Sequence, residues 1–295
     1  MADPVACVVV TYDALPWLEQ CLASVAGVPT VVVDNGSSDG TVAFVRERFS
    51  DVTLVESANL GLAAGWNRGL AEVDAEHVLL LNADAWLEEG ALAGLVGALG
   101  RHPRAAVAAP RLQNRDGTLQ RSVRGFPTPW RLATEYLYLR KLAPRTRLLN
   151  AFYGAGFDHA SEREVEWVMG ACLLVRRAAL DDVGGFDERY FLFSEEVDWC
   201  RRAADRGWSV VFTPEARCTH VGGASHGGRL FRENVRGHLL YLHLHGAPGQ
   251  AERARRMMRV ALLLRGKLYR GERGARYREV AAWLGSGDVA ALVAR

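Results

Sequence analysis

Short apolar runs alternate with segments of helical periodicity from the start of the chain to Pro110. The runs have the length of strands and are almost entirely apolar, which is typical of strands buried on both faces of a parallel sheet. They are Val5–Tyr12, Val31–Val33, Val52–Glu56, His77–Leu81 and Ala105–Ala109. The helical segments between them are Leu15–Ala26, Thr41–Phe49, Ala63–Val73 and Glu88–Leu99. This alternation predicts an α/β fold with a mostly parallel central sheet flanked by helices.

The alternation stops after Pro110. Residues 111–165 are rich in Arg, aromatic residues, Pro and Gly, and we predict an insertion there. The core pattern then resumes, with a strand at Trp167–Val175, a turn and helix within Asp187–Arg206, and a strand at Ser209–Thr213. From Leu230 onward the pattern is helical, basic and amphipathic. We therefore predict a core domain of residues 1–229 and a helical C-terminal extension of residues 230–295.

Composition excludes several classes of protein. The balance of 49% hydrophobic and 24% charged residues is that of a folded enzyme, not of a disordered chain. The five cysteines are scattered without a CxxC pair, which argues against a disulfide framework or a structural zinc site. No apolar run reaches the ~18–20 residues of a spanning helix, and the N-terminal apolar stretch lacks the basic region of a signal peptide. We therefore expect a cytoplasmic protein that is in solution or lies on a membrane.

The small net charge of +2 conceals an uneven distribution. Between Arg253 and Arg278 there are ten Lys or Arg residues and one acid, Glu272. Between Arg124 and Arg147 there are six against one, Glu135. Such asymmetry indicates an anionic partner, either nucleic acid or anionic lipid.

Polar residues follow the apolar strands, and ligands of parallel sheets bind at that edge. Asp34 and Asn35 come directly after the second strand, in the segment DNGSSDGT. Ser38 or Asp39 could simply cap the next helix, with the glycines making the turn. That role leaves Asp34 and Asn35 unexplained. The Asp34 carboxylate could instead accept the N3–H of a uracil or thymine ring, and both interpretations stay open.

The segment Asn59–Gly69 also follows a strand. It lacks the Lys-Ser/Thr pair of a Walker A loop and the glycine spacing of a dinucleotide site. Gly65 and Gly69 are predicted to let a helix pack closely on the sheet. Asn59 and Arg68 are better candidates for contact with a ligand.

Asn82-Ala83-Asp84 ends a strand whose last three residues are leucines. Asp84 could hold Mg²⁺ or Mn²⁺, which take oxygen ligands and bridge diphosphate oxygens, or it could be a turn or helix-capping residue. His220 follows another strand and could meet Asp84 across the site. A lone histidine is otherwise more often structural.

The densest group of acids is Glu195, Glu196 and Asp198, which follow the run Tyr-Phe-Leu-Phe at a predicted helix start. Acids favour the first helical turn because of the helix dipole. Bulky aromatic neighbours would also desolvate one carboxylate and raise its pKa toward the range of a general base. One of these acids is therefore predicted to accept a proton from a substrate hydroxyl.

Taken in order, these segments resemble glycosyltransferase family 2, which has the GT-A fold, over residues 5–228. VVVTYD resembles the family's nucleoside-packing strand, VDNGSSDGT its base-binding segment, and NLGLAAGWNRG the nucleotide-side segment that follows. Asn82-Ala83-Asp84 matches the family's DxD-type metal motif with Asn at the first position. GGFDERYFLFSEEVDW resembles the acceptor-side half, with Glu195-Glu196 where the family usually has Glu-Asp.

The resemblance implies a role for each of these positions. Asp84 and His220 are expected to hold a divalent metal, Mg²⁺ or Mn²⁺. Glu196 is expected to be the catalytic base, with Glu195 and Asp198 as alternatives. The nucleotide is expected to contact Thr11, Tyr12, Asp34, Asn35, Asn59, Arg68 and Asn82. The acceptor side is expected to include Trp167, Gly170 and Ala171, and residues 111–165 could also face the acceptor or a membrane.

Within the family the chain is most similar to bacterial rhamnosyltransferases that use dTDP-L-rhamnose and act on polyprenyl-diphosphate-linked N-acetylglucosamine. The segments that suggest this are RGFPTP (residues 124–129), YFLFSEEVDW and HVGGAS. The resemblance thus implies an inverting transfer from dTDP-rhamnose, or from another UDP- or dTDP-hexose, to a lipid-linked saccharide in cell-wall or surface polysaccharide synthesis.

A lipid-linked acceptor would place the enzyme at the cytoplasmic face of the plasma membrane. The basic helices would then bind anionic lipid, unless they pack on the core or form a homodimer. Two other classes of protein would show different patterns. A nucleotidyltransferase would show a glycine- and lysine-rich triphosphate loop near its start, and none is visible. A nucleic-acid-binding module would interleave aromatic residues with its basic ones, whereas residues 253–278 hold only Tyr269 and Tyr277, so no nucleic-acid partner is expected.

Overall fold

The computed structural model describes residues 3–143, 145–150, 152, 157–222 and 230–294. Contacts divide the chain into two compact units. The first comprises Met1–Val123 and Asp158–Gly228, and the second comprises Arg124–Phe157 and Arg229–Arg295. Part of the segment predicted as an insertion thus belongs to the same unit as the C-terminal region. The predicted domain boundaries themselves stay predictions.

A large sheet forms the core of the first unit. In the described residues it has nine strands, in the order β3-β2-β1-β4-β10-β6-β11-β5, with β8 paired to β11. The strands β1 to β4 are mutually parallel, and so are β6 and β11. The bounds of the strands are Asp3–Thr11 (β1), Thr30–Asp34 (β2), Thr53–Glu56 (β3), Ala75–Asn82 (β4), Ala85–Leu87 (β5), Ala105–Gln113 (β6), Val123–Arg124 (β7), Arg163–Val165 (β8), Trp167–Val168 (β9), Cys172–Arg176 (β10) and Ser209–His220 (β11).

The helices of the first unit cover this sheet, and those of the second unit form a separate bundle. Their bounds are Leu15–Ala23 (α1), Thr41–Arg48 (α2), Leu62–Ala71 (α3), Ala91–Arg101 (α4), Pro129–Tyr136 (α5), Arg147–Asn150 (α6), Arg177–Val183 (α7), Glu195–Asp205 (α8), Phe231–His245 (α9), Gln250–Leu268 (α10), Gly271–Trp283 (α11) and Val289–Val293 (α12). The fold class predicted from the alternation is confirmed.

Local chemistry explains several of these elements. Most residues of the central strands are buried, and Thr30–Asp34 is buried at every position, because helices cover the sheet. Gly65 and Gly69 let α3 approach β1, since an added Cβ would lie 2.7 Å from Val10 and 2.2 Å from Val8. This confirms the packing role predicted for both glycines. In the second unit, Thr128 caps α5 by accepting from the Arg131 N–H, and Pro129 follows at the first helical turn.

Two predictions in the second half were wrong in detail. The strand expected at Trp167–Val175 is broken at residues 169–171, and its second part, β10, runs antiparallel to β4 and β6. The turn and helix expected within Asp187–Arg206 are confirmed, and the helix begins at Glu195. The strand expected at Ser209–Thr213 continues to His220 after a register shift between Thr213 and Arg217. The break and the shift both depend on neighbouring strands, which the local pattern does not contain.

Candidate active site

The polar residues predicted to form the site lie along one edge of the sheet. In the strand register Thr11 is opposite Asp34, Asp34 is opposite Glu56, and Val10 is opposite Asn82. Because these strands are parallel, their carboxyl ends meet at the same edge. The sheet therefore brings the ends of β1, β2 and β4 together, as the sequence pattern required.

Asp34 is 2% exposed, and its two carboxylate oxygens differ in their surroundings. Oδ2 accepts hydrogen bonds from the backbone N–H groups of Gly36 (3.0 Å) and Ser37 (2.9 Å). Oδ1 is buried and has no hydrogen-bond partner in the described structure. A buried acceptor without a partner is costly, so it is suited to a donor brought by a ligand.

Two further buried oxygens beside Asp34 also lack a hydrogen-bond partner among the described residues. They are Thr11 Oγ1 and Asn35 Oδ1. The Asn35 side chain is held from its other end, where Nδ2 donates to the Gly61 carbonyl at 3.2 Å. This part of the sheet edge can therefore recognise a polar, planar group such as a pyrimidine base.

Tyr12, Asn59 and Arg68 surround this region less tightly. Tyr12 follows β1 and is 44% exposed, so its ring is free to stack. Asn59 is exposed, and its Oδ1 accepts from the Gly61 N–H at 3.2 Å. The Arg68 guanidinium donates to Ser57 Oγ and to the Ala58 carbonyl. Asn59 and Arg68 thus already stabilise the loop that precedes α3.

The helix cap expected at Ser38 or Asp39 is not formed. Gly40, with a φ of 92°, precedes α2 and no side chain caps that helix. Asp39 instead accepts from the N–H of Leu15, at the start of α1, and from Thr41. The Ser38 N–H donates to Asp13 Oδ1 at 2.7 Å. These bonds join the loops after β1 and β2.

Asp84 and His220 meet as predicted. Asp84 Oδ1 lies 3.4 Å from His220 Nε2, and both side chains are largely buried. The backbone supports this approach, because His220 is paired with Ala85 and the Val221 N–H donates to the Asp84 carbonyl at 3.0 Å. The remainder of the HVGGAS segment, from residue 223, lies outside the described residues.

The opposite side of the His220 ring contacts Gln120. The ring's Nδ1–H donates to Gln120 Oε1 at 2.7 Å. Sequence reasoning missed Gln120 because it lies within residues 111–165, where no motif or periodicity singled it out. Only the folded chain places it beside His220.

The capacity of this pair for a metal can be judged from its donor atoms. A carboxylate oxygen and an imidazole nitrogen are both ligands of Mn²⁺, and the carboxylate also suits Mg²⁺. In the part of the chain that the structure describes, no group of three His, Cys, Asp or Glu side chains could hold a metal ion. Asp84 and His220 therefore fit an ion whose other ligands come from a bound diphosphate or water. The backbone N–H of Asn82 donates to the Ala171 carbonyl at 3.0 Å and so links the end of β4 to the segment before β10.

The break at residues 169–171 connects the sheet edge with the acidic cluster. Ala171 pairs with Asn82 through that backbone bond. An added Cβ on Gly170 would lie 2.9 Å from the Trp66 ring and 3.6 Å from the Glu196 Cβ. Trp167, which precedes the break, is buried. Gly170 thus permits a close approach of the Trp66 ring that a larger residue would prevent, and Glu196 lies within ordinary contact distance of the same position.

The acidic cluster begins on strained backbone. Phe193 and Ser194 have φ values of 73° and 75°, in a backbone region that residues other than Gly rarely adopt. The Leu62 N–H donates to the nearby Phe191 carbonyl at 2.7 Å. Such strain persists only where the surrounding structure enforces it, and it is often found at functional sites.

The three carboxylates of α8 have different environments. Glu195 is 2% exposed, and burial, together with the charge of Glu196, raises its pKa well above the ordinary value. Glu196 is half-buried beside Gly170. Asp198 is buried and forms an ion pair with Arg202 at 2.8 Å. Arg202 also donates to the carbonyls of Val183 and Gly185, so this pair anchors α8 to the end of α7.

A family model described as glycosyltransferase like family 2 matches residues 2–238. The chain belongs to glycosyltransferase family 2. A relative within this family, the N-acetylglucosaminyl-diphospho-decaprenol L-rhamnosyltransferase of Mycobacterium tuberculosis, is 36% identical over 237 residues, which are 75% of this chain and 76% of that protein. The low-salt glycan biosynthesis hexosyltransferase Agl10 of Haloferax volcanii is 27% identical over 209 residues, 69% of this chain and 62% of that protein.

Solved structures of glycosyltransferases share the fold. The mannosyltransferase PcManGT of Pyrobaculum calidifontis, solved with GDP-Man and Mn²⁺, has a TM-score of 0.56 at 18% identity and is matched over 99% of this chain and 87% of its own. GalNAc-T7, solved with UDP, GalNAc and Mn²⁺, has a TM-score of 0.56 at 14% identity over 80% of this chain, which spans about half (47%) of that structure's chain. The GT-A fold implied by the family 2 resemblance is confirmed.

Proposed function

We propose that this glycosyltransferase transfers L-rhamnose from dTDP-L-rhamnose to a lipid-linked saccharide, with inversion at the anomeric carbon and with a divalent metal. One observation carries the proposal. A single sheet edge holds the unpartnered oxygen of Asp34 and the Asp84–His220 pair, and the 169–171 break joins this edge to Glu196. The 36% identity to a protein named as a rhamnosyltransferase supports the choice of sugar and acceptor.

The nucleotide half of the reaction is assigned to the ends of β1, β2 and β4. Asp34 Oδ1 accepts the N3–H of the thymine, and the exposed Tyr12 ring packs on the nucleoside. Asp84 and His220 would hold Mg²⁺ or Mn²⁺. The metal, when bound, supplies positive charge that neutralises the departing dTDP.

The acceptor half is assigned to the 169–171 break and the start of α8. Glu196 removes the proton from the acceptor hydroxyl, whose oxygen attacks the anomeric carbon from the face opposite the diphosphate. One such displacement inverts the configuration without a protein nucleophile. Burial and the neighbouring charge of Glu196 raise the pKa of Glu195, which sets it apart from the base. Asp198, paired with Arg202, positions the helix.

A lipid-linked acceptor requires work at a membrane surface, and α10 offers a suitable face. One side of α10 is buried in the second unit through Ala254, Met258, Ala261, Leu262 and Arg265. The other side, which we call the exposed α10 face, carries Val260, Leu263, Leu264 and Leu268, with Arg256, Arg259 and Lys267 among them. Apolar residues bordered by cations favour the headgroup region of an anionic bilayer.

A second exposed apolar group lies in the same unit. Leu142 is 77% exposed and Leu148 is 70% exposed, and the neighbouring Lys141 and Arg145 are also exposed. The segment before them packs on α10, because Arg265 donates to the Glu135 carbonyl at 2.6 Å and its guanidinium lies 3.6 Å from the centre of the Tyr138 ring. We assign both groups to contact with the cytoplasmic face of the plasma membrane. In the described residues no helix has the length and apolarity to span a bilayer.

The test is a transfer assay with purified protein, Mn²⁺ and a synthetic polyprenyl-diphosphate N-acetylglucosamine. We expect product only with dTDP-rhamnose. NMR of the product should show that the anomeric configuration has been inverted. A parallel thermal-shift screen with UDP, dTDP and GDP should show the largest stabilisation with dTDP. Transfer from a different nucleotide sugar would overturn the rhamnose assignment and leave the family 2 chemistry in place.

A further inference from the structure

Gln120 is held in one orientation by bonds at both ends of its amide. Its Oε1 accepts from the His220 Nδ1–H at 2.7 Å. Its Nε2 donates to Asn114 Oδ1 at 3.1 Å and to the His220 carbonyl at 3.4 Å. Because donor and acceptor ends are both engaged, rotation of the amide by half a turn would break all of these contacts.

The turn before Gln120 fixes it further. The Asn114 N–H donates to the Thr118 carbonyl at 2.8 Å, and Asn114 Nδ2 donates to Thr118 Oγ1 at 2.9 Å. The Gln120 N–H donates to the Leu112 carbonyl at 3.0 Å. Gly222 lies beside this pair, since an added Cβ there would be 3.4 Å from Gln120 Nε2 and 3.5 Å from the His220 ring, which is ordinary contact distance. The geometry of Gln120 is thus set by the turn and not by His220 alone.

This arrangement determines which nitrogen of His220 is available. With the proton on Nδ1 engaged by Gln120, Nε2 is the nitrogen that faces Asp84 Oδ1 at 3.4 Å. A carbonyl acceptor on the far nitrogen of a metal-binding imidazole fixes its tautomer and orientation and increases its basicity. Loss of such an acceptor typically lowers metal affinity by about 10–100-fold.

We propose that Gln120 is a positioning residue, which holds His220 in the tautomer and orientation that bind the divalent metal with Asp84. The inference rests on the proposed metal site. It assigns a role to a residue of the segment between β6 and β7 that no motif marks.

The experiment compares Gln120→Leu, Gln120→Glu and the control Gln113→Leu. Gln113 is a matched control because its side chain bonds to Glu88 and Thr219 and not to His220. Mn²⁺ affinity is measured by calorimetry in the presence of dTDP. We expect about 10–100-fold weaker binding for Gln120→Leu and no change for Gln113→Leu. Gln120→Glu should lose less affinity than Gln120→Leu, because its carboxylate still accepts from Nδ1–H although it cannot donate to Asn114 Oδ1 or to the His220 carbonyl.

A second measurement does not involve the metal. Nitrogen-15 NMR of the histidine rings should show His220 with its proton on Nδ1 in wild type and in Gln120→Glu, and a mixture of tautomers in Gln120→Leu. An unchanged tautomer and unchanged Mn²⁺ affinity in Gln120→Leu would overturn the inference. If Asp84→Ala and His220→Ala weaken Mn²⁺ binding while Gln120→Leu does not, the inference alone fails. If neither of those two variants affects Mn²⁺ binding, or wild type binds none, the metal site itself fails, and the role of Gln120 fails with it.

Discussion

Asp84 and His220 face each other across the ends of two segments that lie 136 positions apart in the chain, with 3.4 Å between Asp84 Oδ1 and His220 Nε2. A carboxylate oxygen and a ring nitrogen at this separation can share a cation. The pair lies at the same sheet edge as Asp34, where a donor nucleotide would place its diphosphate.

The metal is tested first by Asp84→Ala. We expect transfer to fall by at least about 100-fold, because the developing charge on the diphosphate loses its stabilisation. The melting temperature should stay close to that of wild type, since the side chain is at the end of a strand and not in the core. Asp205→Ala, on the exposed end of α8, should keep full activity. Full activity of Asp84→Ala, or of wild type in excess EDTA, would contradict a metal-dependent mechanism.

The base is tested by conservative amide substitutions in α8. Glu196→Gln should lose about 10²–10⁴-fold in kcat with little change in KM, because it removes a proton acceptor that acts only in the transition state. Asp198→Asn should instead lower the melting temperature, since it removes the partner of Arg202. If Glu195→Gln loses most of its kcat while Glu196→Gln is nearly normal, the base has been assigned to the wrong carboxylate.

The nucleotide assignment is tested by Asp34→Asn and Asp34→Ala. Asparagine keeps the size of the side chain but carries one acceptor oxygen, so it cannot serve both the backbone N–H groups and a base N3–H. A hydrogen bond to a charged group contributes about 1.5–3 kcal/mol, so we expect dTDP binding to weaken by about 10–100-fold in calorimetry. Preference of the wild type for GDP would contradict both the pyrimidine and the rhamnose assignments.

The raised pKa of Glu195 predicts a pH dependence of stability. Above its ordinary value of 4.5, the folded protein retains a proton that the unfolded chain releases. The contribution of this group to the free energy of unfolding is therefore full below pH 4.5 and falls as the pH rises toward the raised pKa. Glu195→Gln should gain melting temperature relative to wild type between pH 5 and pH 8, measured by calorimetry. The exposed Glu47→Gln is the control, and an equal difference at both pH values would contradict the burial effect.

Membrane binding is tested by co-sedimentation with anionic liposomes. The substitutions Arg256→Gln, Arg259→Gln and Lys267→Gln together should weaken binding on the order of 100-fold, since each exposed cation contributes about 1 kcal/mol. Arg255 is unsuitable, because it is largely buried against Glu252 and the Leu284 carbonyl. Replacement of Arg46, Arg48 and Arg163 by Gln removes the same charge from the first unit and should have little effect. Binding that does not depend on lipid charge would contradict the attraction of these cations to anionic lipid. A dimer in solution that Leu264→Gln dissociates would assign the exposed α10 face to a second copy of the chain.

Much of the first half of the fold could be predicted from the chain alone. The strands around Val8, Val32 and Leu80 are apolar and fully buried, so their periodicity is a local signal. The packing role of Gly65 and Gly69 could also be predicted, because a helix that packs closely on a sheet needs small residues at helical spacing. The order of polar residues after the strands identified the family.

The sequence by itself thus determined the strand and helix pattern of the first half, the candidate nucleotide and metal residues, and the family. Tertiary structure alone decided that Glu195 and Asp198 are buried, that Asp198 is paired with Arg202, that the strand is interrupted at Gly170 beside Trp66, and that Gln120 contacts His220. The physical reason is the range of the interactions. Hydrophobic periodicity is visible within a dozen residues, whereas desolvation, ion pairing and the tautomer of a histidine depend on groups that the fold brings together from distant segments.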